Sequence, residues 1–279
     1  MKRNKIIDSC QIETGDVKLT SLTCSDVTLP YVHTKLTSKL YLDFDDGTAN
    51  DKSPEGNNGV INGATNDGFE MSFDGIDDYI DFSEPKLLTG GNISVSFWIN
   101  PQSDEGVIMM QGFQYIGAEW GWLVLLGSNN HEDNNPLSIS WSSSDATSNF
   151  NSGIVLQTAA NTIKLNEQQH VAITKQGSFV TIYINRVVSA SGDIAVEEIK
   201  WPFGASKVFT IGRTTGHPTM YQNYYHGSLN EVLIFDKALS ATEVNNLMKD
   251  EGFDGQHVIT VSATDSAGNT GSDSVTFSR

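Results

Sequence analysis

"NISVSFWIN", residues 92–100, alternates apolar and polar side chains along its length. A strand sends successive side chains to opposite faces. Ile93, Val95, Phe97 and Ile99 therefore share one face, and Ser94, Ser96 and Trp98 share the other. A period of two is the wrong repeat for an amphipathic helix, so this stretch is read as a strand.

Working outward, the same grammar recurs. "HVAITKQGSFVTIYIN" (170–185) reads as a hairpin turning at "KQGS", and "KVFTIGR" (207–213) as a further strand. "SLNEVLIFD" (228–236) alternates again, which predicts Leu229, Glu231, Leu233 and Phe235 on one side. Turn signals separate these strands from Leu40 to Leu247, the pattern of an all-β sandwich. One helix is signalled, in "LSATEVNNLMKDEG" (239–252). Ser240 caps it, Glu243 completes a capping box, and Gly252 stops it. Its apolar stripe of Val244, Leu247 and Met248 is expected to pack against the sandwich edge.

The ends differ from the middle. Residues 1–38 read as an arm with one or two strands, residues 39–251 as the sandwich, and residues 252–279 as a β-hairpin tail. Two strands alone are marginal in water, so the tail needs a partner sheet, from the arm or from another chain.

Composition narrows the function. The 279 residues carry a formal charge of -17, with only 18% charged residues. Such a chain repels nucleic acid and anionic membranes. No apolar run is long enough to span a bilayer. The N-terminal "MKRNKIIDSCQIETGD" has a basic start without an apolar stretch behind it; either a signal was removed, or export takes another route, or release is by lysis, as for a virion protein. Cys10 and Cys24 form no CxxC pattern, which argues against a thiolate zinc site and leaves a disulfide and two free thiols equally open.

The order of the segments resembles the laminin-G-like, concanavalin A-like family of jelly-roll sandwiches. The resemblance is carried by "LYLDFDDGTANDKSPEGNNGVINGATNDGFEMSFDGIDDYIDF", "ISVSFWINP", "NEQQHVAITKQGSFVTIYINRVVSA", "FTIGRTTG" and "YHGSLNEVLIFDKALSATEV", spanning residues 38–250. It implies a jelly roll of two antiparallel sheets with one short helix. The tail "ITVSATDSAGNTGSDSVTF" resembles the closing strands of bacterial immunoglobulin-like repeats. The chain departs from the family at Gln168, where a tryptophan is common, at the Asn185-Arg186 turn, where Asn-Gly is common, and at Asn230, which replaces an acid before Glu231.

The chemistry reads as recognition rather than catalysis. The E-x-D-x-x-E of the family's glucanases is missing, as are HExxH, GxSxG and a P-loop. The acidic run "SFDGIDDYIDF" (72–82) is read as a turn and strand with Phe73 and Ile80 inward and its carboxylates wet. His170 is read as a satisfied core or edge histidine.

Calcium favours oxygen-rich loops, and "DFDDGTANDKSPEGNN" is one. The resemblance implies a structural calcium held by Asp51 and Asn230, with Asp46 as a further ligand. Sugars stack on aromatic rings and hydrogen-bond to polar side chains. Two stretches read as loops of that kind. One carries Tyr115, Trp120 and His131, and the other Arg213, His217, Tyr221, Tyr224 and Tyr225. The expected partner is a glycan or glycoprotein surface, met outside the cytoplasm on a cell or virion surface. The alternative is a structural assembly subunit that uses its terminal strands between copies.

Overall fold

The structure is a computed structural model and describes residues 19–23, 37–83, 90–115, 118–127, 136–143, 156–199, 208–214, 224–248, 257–265 and 270–277. In chain order its strands are β1 (Leu19–Thr23), β2 (Leu40–Leu42), β3 (Val60–Asn62), β4 (Thr65–Asn66), β5 (Met71–Asp74), β6 (Tyr79–Ser83), β7 (Asn92–Pro101), β8 (Gly106–Tyr115) and β9 (Ala118–Leu126). There follow β10 (Ile139–Ser143), β11 (Leu156–Gln157), β12 (Gln169–Gln176), β13 (Phe179–Ile184), β14 (Val187–Asp193), β15 (Val208–Ile211), β16 (His226–Phe235), β17 (His257–Asp265) and β18 (Thr270–Phe277). The single helix among the described residues is α1 (Ala241–Leu247).

The chain divides into two units, Tyr31–Met248 and one built from both chain ends. In the second, the sheet order is β1-β17-β18, all antiparallel. The partner strand that the tail hairpin needs comes from the N-terminal segment of the same chain.

The larger unit is a jelly-roll β-sandwich. One sheet runs β11-β10-β9-β8-β15-β6-β3; the other runs β14-β13-β12-β7-β16-β5-β4, with β2 also paired to β16. The core between them is supplied by alternate residues of both. Ile93, Val95, Phe97 and Ile99 of β7 face Trp122, Val124 and Trp141 of the opposite sheet within one buried cluster. Trp122 stacks on Trp141 at 5.5 Å between ring centroids, and its indole N–H donates to the buried Gln111 Oε1 at 2.6 Å. A buried indole needs such an acceptor.

Lys175 is fully buried near the β12–β13 turn, where its ammonium donates to the carbonyls of Gly91, Gly177 and Glu197 at 3.2, 2.6 and 2.7 Å. Three donors meet three acceptors, which is what makes burial of this charge tolerable.

Two sequence expectations change. In β16 the register against β7 shifts between Asn230 and Leu233, and Glu231 adopts a left-handed φ of 48°. This bulge breaks the alternation. Leu229, Val232 and Ile234 enter the central core, whereas Leu233 and Phe235 face the other way, so the predicted single face of Leu229, Glu231, Leu233 and Phe235 does not exist. The bulge is also where β16 exchanges β5 for β2 as its neighbour. The helix has the predicted capping box, with the Glu243 amide donating to Ser240 Oγ and the Ser240 amide to Glu243 Oε2. It packs on the face of the sheet, against Ala172, Tyr183, Leu233 and Phe235, rather than on the sandwich edge. Gly252 lies outside the described residues.

Candidate functional site

A polar cluster on the outer face of the first sheet is built from β6 and β15. Ile80 and Phe82 of β6 point into the core, so Tyr79 and Asp81 point out. Thr210 of β15 pairs with Asp81 and Ile211 with Ile80. The chain then turns at Gly212, whose φ is +91°. A Cβ there would lie 2.9 Å from the Phe73 ring and 3.0 Å from the Asp78 carbonyl oxygen, so the position requires glycine. The Gly212 amide donates to Ile108 O, and Gly212 O accepts from the Tyr225 amide, which fixes the turn on both sides.

The turn places Arg213 over Tyr79. The guanidinium carbon is 3.4 Å from the Tyr79 ring centroid, a cation–π geometry. Nη2 donates to both oxygens of Asp81 at 3.0 Å. Thr210 Oγ1 donates to the Arg213 carbonyl at 2.9 Å. Arg213 Nε is buried without a hydrogen-bond partner. The side chain is 23% exposed and that of Asp81 37% exposed. A guanidinium has five donors in a rigid fork, and Asp81 engages only one of its nitrogens. Asp81 and Tyr79 carry no aromatic-loop signal of their own; pairing of Tyr79 and Asp81 with Arg213 is visible only once β6 and β15 are adjacent.

The remaining predicted ligand residues fall into three groups. Tyr225 is a correction: its side chain is fully buried, its hydroxyl donates to Ser228 O at 3.1 Å, and its ring meets Phe73 edge-on. It is a core residue and presents nothing to a ligand. Tyr224 is half-buried and forms an isolated parallel bridge to Val107. Tyr115 and Trp120 lie on the long β8–β9 hairpin, not on a loop, with Phe113 opposite Trp120 and Gly112 opposite Gly121. His131, His217 and Tyr221 lie outside the described residues.

The predicted calcium ligands are engaged otherwise. Asp51 accepts from the amides of Tyr41, Ser53 and Asn57 and from the Ser53 hydroxyl, so both its oxygens organise the loop. Asp46 accepts from Thr48 and pairs with Lys52, whose ammonium holds its carboxyl down at about 2. Asn230 Oδ1 accepts from the Glu231 amide at 2.8 Å and stabilises the bulge. A cation needs unfilled oxygens facing one point, and this donor set does not fit one: N–H groups and a lysine fill it.

The acidic turn "DGIDD" (74–78) brings oxygens of Asp74, Asp77 and Asp78 within 4.8 Å of one another. The amides of Ile76 and Asp77 hold Asp74 Oδ1, and the Asp74 amide holds Asp78 Oδ2. Backbone hydrogen bonds lower the Asp74 carboxyl, and burial raises that of Asp78. Gly63 closes over Asp78, since a Cβ there would lie only 2.0 Å from its Oδ1. The amide hydrogen bonds tie the Asp74 and Asp78 carboxylates into their own turn.

A family model described as the concanavalin A-like lectin/glucanases superfamily matches residues 74–245. The chain belongs to that superfamily. No curated protein matches the sequence. Among solved structures, the superfamily fold is shared with the receptor binding domain of botulinum neurotoxin mosaic serotype C/D, at a TM-score of 0.58 and 18% identity over 79% of this chain and 52% of that one. The receptor binding domain of botulinum neurotoxin D gives 0.55 and 19%, covering 79% and 54%. The serotype D ligand binding domain, solved in complex with N-acetylneuraminic acid, gives 0.54 and 17%, covering 79% and 52%. The chain thus spans about half the length of these relatives, and at such identities the likeness is one of fold.

Proposed function

We propose that this superfamily member is a non-catalytic module that recognises glycans, acting outside the cytoplasm on a cell or virion surface. The observation that supports it is Arg213, held over Tyr79 and tethered through Nη2 by Asp81, with its side chain 23% exposed. Sugar hydroxyls are read by such fixed donors and acceptors at a partly exposed site. A ready-oriented guanidinium also loses little entropy on binding.

Two further points support recognition over hydrolysis. Glycoside hydrolysis needs two carboxyl groups flanking a sugar, and the Asp74–Asp78 pair is bound by its own turn. A structural neighbour, of which this chain covers about half, was solved in complex with N-acetylneuraminic acid, which lends the recognition reading support. The assembly reading rests on the N-terminal stretch without an apolar run and on terminal strands in need of a partner; of these, β17 has a partner in β1 of its own chain. Calcium plays no part in the proposal.

A glycan array probed with the wild-type chain and with Arg213→Ala tests it. Selective binding that Arg213→Ala weakens at least tenfold is the expected result. A blank array with well-folded protein contradicts it.

A further inference from the structure

Resting on that reading, we infer that the Arg213–Asp81 site takes a neutral sugar through adjacent hydroxyl groups and discriminates against sugars bearing a carboxylate. The argument is one of charge and of donor–acceptor arrangement. Asp81 neutralises Arg213 directly, with both carboxylate oxygens 3.0 Å from Nη2. An arginine that recognises a carboxylate offers it two parallel N–H groups; here the Nη2 position is already taken by a protein carboxylate.

Arg213 Nε is buried, so a ligand meets the solvent-facing part of the pair, where the Arg213 side chain is 23% exposed and the Asp81 side chain 37% exposed, a donor beside an acceptor. A hydroxyl both donates and accepts, whereas an ionised carboxylate only accepts. Two neighbouring hydroxyls can give one hydrogen bond to Asp81 and take another from Arg213. A carboxylate brought to the same place satisfies Arg213 alone and stands against Asp81.

The surroundings push the same way. Asp74, Asp77 and Asp78 lie on the turn that leads directly into Tyr79, and the Asp78 carbonyl sits against Gly212, next to Arg213. The whole chain carries -17. Several like charges within about one Debye length disfavour an anionic ligand by roughly tenfold at low salt, and less as salt screens them. Tyr79 has one ring face covered by the guanidinium, so its role is to position Arg213.

The test uses the intact chain and matched probes by calorimetric titration: lactose against sialyllactose, and galactobiose against digalacturonate, from low to high salt. The expected result is tighter binding of the neutral member of a pair, with the gap narrowing as salt rises. Asp81→Asn, which keeps shape but removes the charge, should weaken the neutral glycan about tenfold and improve the carboxylated one. Because the wild-type preference needs no variant, the inference can be tested even if Asp81→Asn does not fold. A wild-type preference for the carboxylated probes overturns the inference while leaving glycan recognition intact. Neutral binding unchanged in folded Asp81→Asn does the same. If neither these probes nor any glycan on the array binds, both the inference and the reading beneath it fall.

Discussion

His170 Nε2 and Ser96 Oγ lie 2.8 Å apart on the second sheet, and both side chains are about 1% exposed. The imidazole also meets the Trp98 ring edge-on, and its Nδ1 is buried without a hydrogen-bond partner. Burial, with a smaller contribution from the Arg186 charge, lowers its pKa from 6.5 to about 3. The unfolded chain therefore takes up a proton near pH 6.5 that the folded chain refuses until about pH 3. Stability is full above that window and falls as pH drops through it, by about 1.4 kcal/mol per pH unit from this group. Urea unfolding at pH 7, 6, 5 and 4 should show this slope, and His170→Gln should flatten it. An equal slope in the variant contradicts the assignment.

Gly212 couples fold to site. Gly212→Ala would force a Cβ into the Phe73 ring and the Asp78 carbonyl at a φ of +91°. The expected cost is about 1–3 kcal/mol. Glycan affinity should fall with it, because the turn no longer presents Arg213 to Tyr79. Thermal unfolding and titration on the same sample check both effects.

Lys175 is a structural cation. Lys175→Met keeps much of the volume but leaves the carbonyls of Gly91, Gly177 and Glu197 without their shared donor. Unsatisfied buried acceptors cost about 1–3 kcal/mol each at most, partly recovered by water. A loss of about 2–4 kcal/mol in chemical denaturation is expected, with no change in glycan affinity at a temperature where the variant is folded.

Calcium should have no effect. Asp51 and Asp46 are filled by amides, hydroxyls and Lys52. Melting with excess calcium and with chelator should give the same Tm. Asp51→Ala, in contrast, should destabilise in both conditions, since four hydrogen bonds to the loop disappear. A calcium-dependent rise in the wild-type Tm would show that the loop reorganises around an ion.

Local patterning carried much of the fold. The strict alternation of β7, the Gly177 turn of the β12–β13 hairpin and the capping box of α1 all follow from short-range rules, and each appears as read. The β16 bulge was not legible, because inserting one residue changes the facing of Leu233 and Phe235 without altering composition. Nor was the burial of Tyr225, whose polar hydroxyl is satisfied by a carbonyl three residues on. The "FQYIGAEWGW" stretch is rich in glycine and aromatics and reads as a loop, yet the close approach of Gly112 and Gly121 lets it run as a hairpin. At the site, Arg213 was legible as a loop cation; its anchor Asp81, 132 residues away in sequence, was not.

In the proposed function, Arg213 holds a glycan that leaves unchanged. The most direct measurement is calorimetric titration of the best array ligand into wild-type chain and Arg213→Ala, with mass spectrometry of the recovered glycan. Saturable binding by the wild type, loss of at least tenfold in affinity in the variant, and an intact glycan are expected. Undiminished binding by Arg213→Ala, or a cleaved glycan, would contradict the account.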